Sequence, residues 1–303
     1  MLRRFVFFLT LLALIGCAPR SQEDRRLYVV ATTPIVADVV QQIGGERVQV
    51  ETLLPRGSDA HQYTPRPQDS VMLSKAQLVF ANGAGLEVFL QPLLENAGAT
   101  AQLIEVSKDV PLLRMEEEPN EGTSDQEEHA VDPHTWFDPN NVLIWVDTIV
   151  QALSQADPTH AAEYRQNAEA YKAQLRELDA WIRDQVAQIP PENRKLVTDH
   201  RVFGYFAQRY GFEQVGTVIA SFSTEASPSA QELAALEEAI RAYGVKAIFV
   251  EEIGNQALAE QVSRDTGVRL VTLYHDLGPA GSEVDTYLKY MRYNVTEIVK
   301  ALR

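Results

Sequence analysis

The chain has 303 residues, 45% of them hydrophobic, and a formal net charge of −15 at pH 7. This acidic balance argues against nucleic acid as a partner, because binding to a phosphate backbone requires a basic face, whereas the same field favours cations near the surface. The length provides material for two domains of ordinary size.

The first 16 residues have the pattern of a secretory signal peptide. Two arginines precede an apolar run over residues 5–15, which is too short to cross a bilayer as a helix. The run ends at Leu14-Ile15-Gly16-Cys17, which resembles a bacterial lipobox, and Cys17 is the one cysteine of the chain. We therefore expect cleavage of residues 1–16, a lipid on Cys17, a flexible tether over residues 17–26, and neither an intrachain disulfide nor a cysteine metal site.

From residue 27 the chain alternates short β-branched runs with amphipathic stretches, which predicts an α/β fold with mainly parallel strands. In the first half the predicted strands are 27–31, 48–54, 78–81 and 102–106, and the predicted helices are 34–43, 67–76, 86–96 and 140–155. In the second half the predicted strands are 195–198, 213–218, 247–251 and 269–273, and the predicted helices are 202–210, 229–243, 256–266 and 282–301. We therefore predict two similar lobes, residues 27–156 and 191–303.

A long amphipathic segment, residues 157–190, lies between the two halves. Asp157-Pro158 is an N-cap followed by proline at the first helical position. Apolar residues then recur at spacings of three and four as far as Ile189, which is the period of a helix with one buried face. At about 1.5 Å per residue this helix would extend roughly 45 Å. We predict a stiff connector that permits little closure of the lobes; the alternative is an ordinary surface helix inside one domain.

Several histidines stand where hydrophobic runs end. His61 follows the strand that ends near residue 54, His134 follows a hydrophobic run of its own, and His200 follows strand 195–198. Strand 269–273 is followed by a carboxylate, Asp276. Ligands of open α/β sheets collect beyond the carboxyl ends of the strands. A surface or core role explains any one of these histidines, but together the four side chains indicate a metal site in a cleft.

Four segments carry a resemblance to a known family. Their motif residues are Gly57, Asp59, His61, Tyr63, Pro65, Pro67 and Asp69; Asp132, Pro133, His134, Trp136, Asp138 and Pro139; His200, Phe203, Gly204, Tyr205 and Phe206; and Tyr274 and Asp276. In these motifs the chain resembles the metal-binding solute-binding lipoproteins of bacterial ABC importers, which deliver zinc or manganese, and the match is nearly end to end. The resemblance implies that His61, His134, His200 and Asp276 are the ligands, that the site lies between two lobes joined by one rigid helix, and that the cargo passes to a membrane permease.

Some residues depart from the family pattern or stand outside it. Leu277 replaces a serine that often follows the ligand aspartate, which removes a hydroxyl that could fix the carboxylate. His275 precedes Asp276 and is an alternative ligand. His160 is expected to be solvated, and His129 belongs to an acidic segment, residues 116–128, that is expected to be a loop. That loop could gather cations weakly or simply be solvated.

Three imidazoles and one carboxylate suit zinc in a tetrahedral site, and zinc lies above manganese in the usual order of affinity. Manganese is the second choice, and iron is also compatible with the ligand set. We expect a monomer that is not an enzyme, anchored by lipid to the outer side of a bacterial membrane. The alternatives are a secreted zinc hydrolase, which would need an open coordination position and a general base, and a surface adhesin.

Overall fold

A computed structural model describes residues 26–114, 131–252 and 256–303. The expected signal peptide, Cys17, His129 and the acidic segment 116–128 lie outside the described residues. Within the described ranges, no helix is both long enough and apolar enough to span a membrane.

The first lobe is built on a parallel sheet with the strand order β2-β1-β3-β4. Its elements are β1 (Leu27–Ala31), α1 (Pro34–Gly44), β2 (Val48–Thr52), α2 (Pro67–Lys75), β3 (Leu78–Ala81), α3 (Leu90–Ala97), β4 (Gln102–Glu105) and α4 (Pro139–Ala156). The central strands β1 and β3 are almost entirely buried, as expected for a sheet covered on both faces. Proline opens α1, α2 and α4, where its missing N–H costs no helical hydrogen bond.

A long helix, α5 (Ala161–Val186), follows and joins the lobes. Its buried stripe consists of Ala161, Tyr164, Ala168, Tyr171, Leu175, Leu178, Ile182 and Val186. This stripe packs against α1 and α4 on one side and against the C-terminal helix on the other. The same buried cluster of side chains therefore extends from the first sheet through α5 into the second lobe.

The predicted continuous helix over 157–190 is shorter at both ends. Pro158–His160 forms a 3-10 turn, α5 has 26 residues, and at about 1.5 Å per residue it extends roughly 39 Å. Beyond Val186 the backbone bonds switch to the tighter pattern, with Ile189 N–H donating to Val186 O at 3.0 Å. Such tightening is a common way to satisfy the last carbonyls of a helix, and periodicity alone does not reveal it.

The second lobe repeats the first, with the parallel order β6-β5-β7-β8. Its elements are β5 (Lys195–Thr198), α6 (Gly204–Tyr210), β6 (Glu213–Thr217), α7 (Ala230–Tyr243), β7 (Ala247–Glu251), α8 (Ala257–Thr266), β8 (Arg269–Leu273) and α9 (Tyr287–Leu302). All eight predicted strands are present, five of them with the predicted bounds. The fold prediction of two similar α/β lobes is thus confirmed.

Two helices, α3 and α9, begin four or five residues later than predicted. Helix α3 begins at Leu90 rather than near residue 86. Before it, Gly83, Ala84 and Gly85 all have positive φ (75°, 54° and 80°), a region that excludes helix for L-residues, and the N–H of Leu86 donates to the carbonyl of Gly83 at 3.2 Å, so the chain turns before the helix begins. Helix α9 begins at Tyr287, where Thr286 caps it by accepting from the N–H of Lys289. The stretch before Thr286 contains Gly281 at φ 83° and forms a turn.

Candidate metal centre

The strand order of the two sheets changes direction at the same position. In each sheet the first strand lies between the second and the third, so a crevice opens beyond the carboxyl ends of β1 and β3 and of β5 and β7. Ligands bind at this position in open parallel sheets. His200 follows β5 directly, and Glu251 is the last residue of β7.

Three of the four predicted ligands come together across the lobes. Nitrogens of His61, His134 and His200 all lie within 4.8 Å of one another, and the Nε2 atoms of His61 and His134 are 3.2 Å apart. Two nitrogens bound at about 2.1 Å to one tetrahedral ion would be roughly 3.4 Å apart. His134 and His200 are fully buried. The first lobe supplies two of these imidazoles and the second lobe supplies one.

His134 is held by the carboxylate of Asp132. Oδ1 of Asp132 accepts from the backbone N–H of His134 at 2.9 Å and lies 2.8 Å from its Nδ1, so the ring donates from Nδ1 and presents Nε2 to the other imidazoles. The segment is anchored in turn, because Asn82 donates to the carbonyl of Pro133 at 2.9 Å and Tyr205 of the second lobe donates to the carbonyl of Asp132 at 2.8 Å.

His200 has the same kind of partner. Oδ1 of Asp199 accepts from its backbone N–H at 2.8 Å and lies 3.1 Å from its Nδ1. Oδ2 of Asp199 accepts from the N–H of Glu251 at 3.0 Å, which ties the loop after β5 to the end of β7. Among the described residues, Nε2 of His200 has no hydrogen-bond partner although it is buried. This free nitrogen is the one that faces the other two histidines.

Asp276 borders the site without joining the three imidazoles. It is 5% exposed, and its Oδ1 is buried without a hydrogen-bond partner in the described part of the chain. Together with His61, His134 and His275 it lines a cavity of about 20 Å³, the space of about one water-sized sphere. A buried carboxylate oxygen without a donor beside such a cavity suits a bound cation.

Burial and mutual repulsion shape the charges of the site. Burial, followed by the neighbouring His200 and His61, holds the pKa of His134 well below its usual value. Burial raises the pKa of Asp132 to about 7 and that of Asp276 to about 6. Burial opposes charge on His200, but the hydrogen bond that it donates to Asp199 and the charge of Glu251 raise its pKa. A divalent cation between these groups would offset the cost of burying the carboxylates.

His160 is not part of the metal centre, whereas the carboxylate of Glu251 belongs to a second group of close metal-binding side chains. His160 lies in the turn before α5, where its Nδ1 is 2.6 Å from Oδ2 of Asp157, and it belongs to neither of the two groups of close metal-binding side chains in the described ranges. The second of those groups consists of Asp199, His200 and Glu251. Glu251 is the residue that sequence reasoning missed; its position as the last residue of a buried strand was the available signal.

Comparison with known proteins gives the family. Residues 29–301 match the family described as zinc-uptake complex component A, periplasmic. The chain belongs to this family. It is 35% identical over 306 residues to the manganese-binding lipoprotein MntA of Halalkalibacterium halodurans, covering 98% of each chain. It is 30% identical over 302 residues to the metal ABC transporter substrate-binding lipoprotein SloC of Streptococcus mutans, covering 97% of this chain and 96% of that protein.

A solved structure supports the assignment to the zinc-uptake component A family. The periplasmic zinc-binding protein TroA of Treponema pallidum superposes with a TM-score of 0.81 at 30% identity, covering 91% of this chain and 99% of that one. This chain and TroA thus share the same two-lobed α/β fold. The relatives named here are binding proteins for manganese, zinc or an unspecified metal, so membership by itself leaves the metal open.

Proposed function

We propose that this protein is an extracytoplasmic lipoprotein that captures one divalent transition metal ion and delivers it to an ABC permease for import. The observation that carries the proposal is the group of three imidazoles, contributed by both lobes, whose nitrogens lie within 4.8 Å of one another. Membership of the zinc-uptake component A family gives this site a carrier's role, as the name of the SloC relative states for that protein.

The proposed ligands are His61, His134, His200 and Asp276. The nitrogens of the three imidazoles already lie within 4.8 Å of one another, whereas the carboxylate of Asp276 lines the same cavity as His61 and His134 and would have to move towards the ion. Zinc is favoured because imidazole nitrogen is among its preferred donors and a 3-nitrogen, 1-oxygen set fits a tetrahedral site. Manganese is second, supported by the name of the MntA relative, and iron is third.

The lipid on Cys17 and the placement outside the membrane follow from the signal-like N-terminus and from the two relatives named as lipoproteins. A carrier without catalytic activity is favoured over a zinc hydrolase. Hydrolytic zinc keeps an open position for water and a base beside it, whereas here the cavity beside His61 and His134 is also lined by Asp276 and His275, which can fill further positions on the ion. A carrier of this kind can act as a monomer.

Elemental analysis of the protein purified without added metal tests the function. One ion per chain is expected, and protein that remains metal-free and fails to bind zinc or manganese in a titration would contradict it.

Calorimetric titration of variants tests the ligand set. Replacing His61, His134 or His200 with alanine should weaken zinc binding by about tenfold or more, since each change removes one metal–ligand bond. His160→Ala is the matched control and should bind zinc like the unmodified protein. A loss in the control equal to that in His61→Ala would refute the set.

A further inference from the structure

His275 is a buried histidine that the proposed ligand set does not use. It is 8% exposed and lines the same small cavity as His61, His134 and Asp276. Its Nδ1 lies 2.6 Å from Oε2 of Glu251. Among the described residues, no hydrogen-bond partner of its other ring nitrogen, Nε2, is seen. Burial opposes charge on His275, but the charge of Glu251 and its hydrogen bond raise the pKa of His275 to about 10, so Nε2 binds an ion only after it releases its proton.

The surroundings of His275 repeat those of the other buried histidines. His134 pairs through Nδ1 with Asp132 at 2.8 Å, and His200 pairs through Nδ1 with Asp199 at 3.1 Å. Histidines that bind metals nearly always give their second nitrogen to a carboxylate or carbonyl, which fixes the tautomer and orients the ring. Glu251 does this for His275.

The main chain of His275 is fixed as well. Its N–H donates to Oε2 of Glu252 at 2.5 Å, and its carbonyl accepts from the hydroxyl of Tyr290 at 3.4 Å. Glu251 is 4% exposed at the end of β7, and its own N–H donates to Asp199. One buried strand end therefore supports the loop of His200 and the loop of His275 together.

We propose that His275 is a further metal-binding residue, which offers Nε2 to the cargo ion beside Asp276 and biases the site towards zinc. This inference rests on the proposed function, because it concerns the same ion. With His275 the second lobe can supply two nitrogens and one carboxylate. The site then has four imidazoles in reach, and an imidazole-rich site suits zinc, whereas carboxylate and water oxygens suit manganese.

The loop geometry is compatible with both donors. Neither His275 nor Asp276 belongs to the group of three close imidazoles, but both line the same cavity as His61 and His134, so a movement of this loop towards the ion can bring either side chain to it. Zinc can expand from four to five ligands, which allows both to bind at once.

His275→Asn tests the proposal without emptying the space near Glu251. The amide nitrogen of asparagine can replace Nδ1 as the donor to Glu251, but the variant lacks Nε2. We expect its zinc affinity to fall by about tenfold, its manganese affinity to fall much less, and the ratio of zinc to manganese affinity to fall accordingly. His160→Asn is the matched control, because His160 also pairs through Nδ1 with a carboxylate at 2.6 Å but borders no part of this cavity.

Nuclear magnetic resonance of protein with ¹⁵N-labelled histidine gives a direct readout. Zinc should shift four Nε2 resonances, and the one that is absent in His275→Asn should be among them. The proposal stands only if this resonance shifts and the affinity ratio falls in the folded variant; any other combination overturns it. An unmodified protein that binds no metal would instead refute the proposed function.

Discussion

Replacing Asp132 with asparagine should weaken zinc binding. Asp132 is not itself a proposed ligand, but its carboxylate holds the proposed ligand His134 in place. Oδ1 of Asp132 accepts two hydrogen bonds from His134, at 2.9 and 2.8 Å, in a site where the carboxylate is 1% exposed. If the amide oxygen takes this place, both bonds survive but the negative charge behind the imidazole is lost. If the amide nitrogen takes it, the ring must carry its proton on Nε2, which then cannot bind metal.

The surroundings of the other carboxylate oxygen, Oδ2, do not suit an amide NH₂ group either. Oδ2 of Asp132 is buried without a hydrogen-bond partner in the described residues, and it lies where a Cβ atom on Gly204 would come within 2.4 Å. An NH₂ group at this position would be left without an acceptor. Substitutions of carboxylates behind metal-binding histidines typically cost about 10- to 100-fold in affinity, which corresponds to about 1.4 to 2.7 kcal/mol.

Competition with a chromophoric zinc chelator measures this loss directly. The titration is best made at pH 8, because burial raises the pKa of Asp132 to about 7 and the carboxylate is mostly ionised there. Asp157→Asn is the matched control, since Asp157 pairs with His160 in the same way at 2.6 Å but away from the cavity. A folded Asp132→Asn protein that binds zinc as tightly as the control would refute the reasoning.

Three further predictions concern the anchor, the lobes and a partly buried acid, Glu87. Cys17→Ala should release the protein into the soluble exported fraction or block its processing; an unchanged mass and membrane fraction would contradict the lipid. Zinc should leave the radius of gyration in solution scattering nearly unchanged, because α5 packs against both lobes; a contraction of several ångström beyond what ordering of loops can produce would contradict a rigid connector. Burial raises the pKa of Glu87 to about 7, so the stability that its protonated form gives is complete below its unfolded pKa and lost as the pH rises through 7. Urea unfolding should therefore show that Glu87→Gln gains stability relative to the unmodified protein between pH 5 and pH 8, and a constant difference would exclude this titration.

The strands could be predicted from the sequence because each is a short apolar run between turn residues. Leu27–Ala31 and Ala247–Glu251 have the predicted bounds, since burial on both faces of a parallel sheet requires a continuous apolar run. The ends of the helices could be predicted less well from the sequence. The turn before α3 contains Ala84, whose positive φ of 54° has no signal in the residue itself, because alanine is otherwise a strong helix former.

Part of the metal site could likewise be predicted from the sequence, and part could not. The sequence placed His61 and His200 after strand ends and His134 after a hydrophobic run of its own, and the fold brings these three residues together. The sequence could not supply the partner of His275, because the contact of Glu251 with His275 joins the ends of two different strands. That contact depends on the strand order, and the order of parallel strands is not encoded in any one segment.

The contacts between the lobes bear on how the ion would be released. Asp38 of α1 accepts from the N–H of Tyr287 at the start of α9, at 2.9 Å, and the hydroxyl of Tyr287 donates to the carbonyl of Trp136 at 2.7 Å. Neither contact includes a proposed ligand, so both can persist with or without metal. The segment of His61 is attached differently: Asp59 accepts from the N–H of His61 at 2.9 Å and from the hydroxyl of Thr224, in the second lobe, at 2.5 Å. Thr224 contacts the first lobe through side chains of a surface segment and is not part of the buried cluster. Opening the segment of His61 should therefore cost less free energy than rotating one lobe against the other. We therefore expect a permease to free the ion by displacing the His61 segment while α5 and α9 hold the lobes in place.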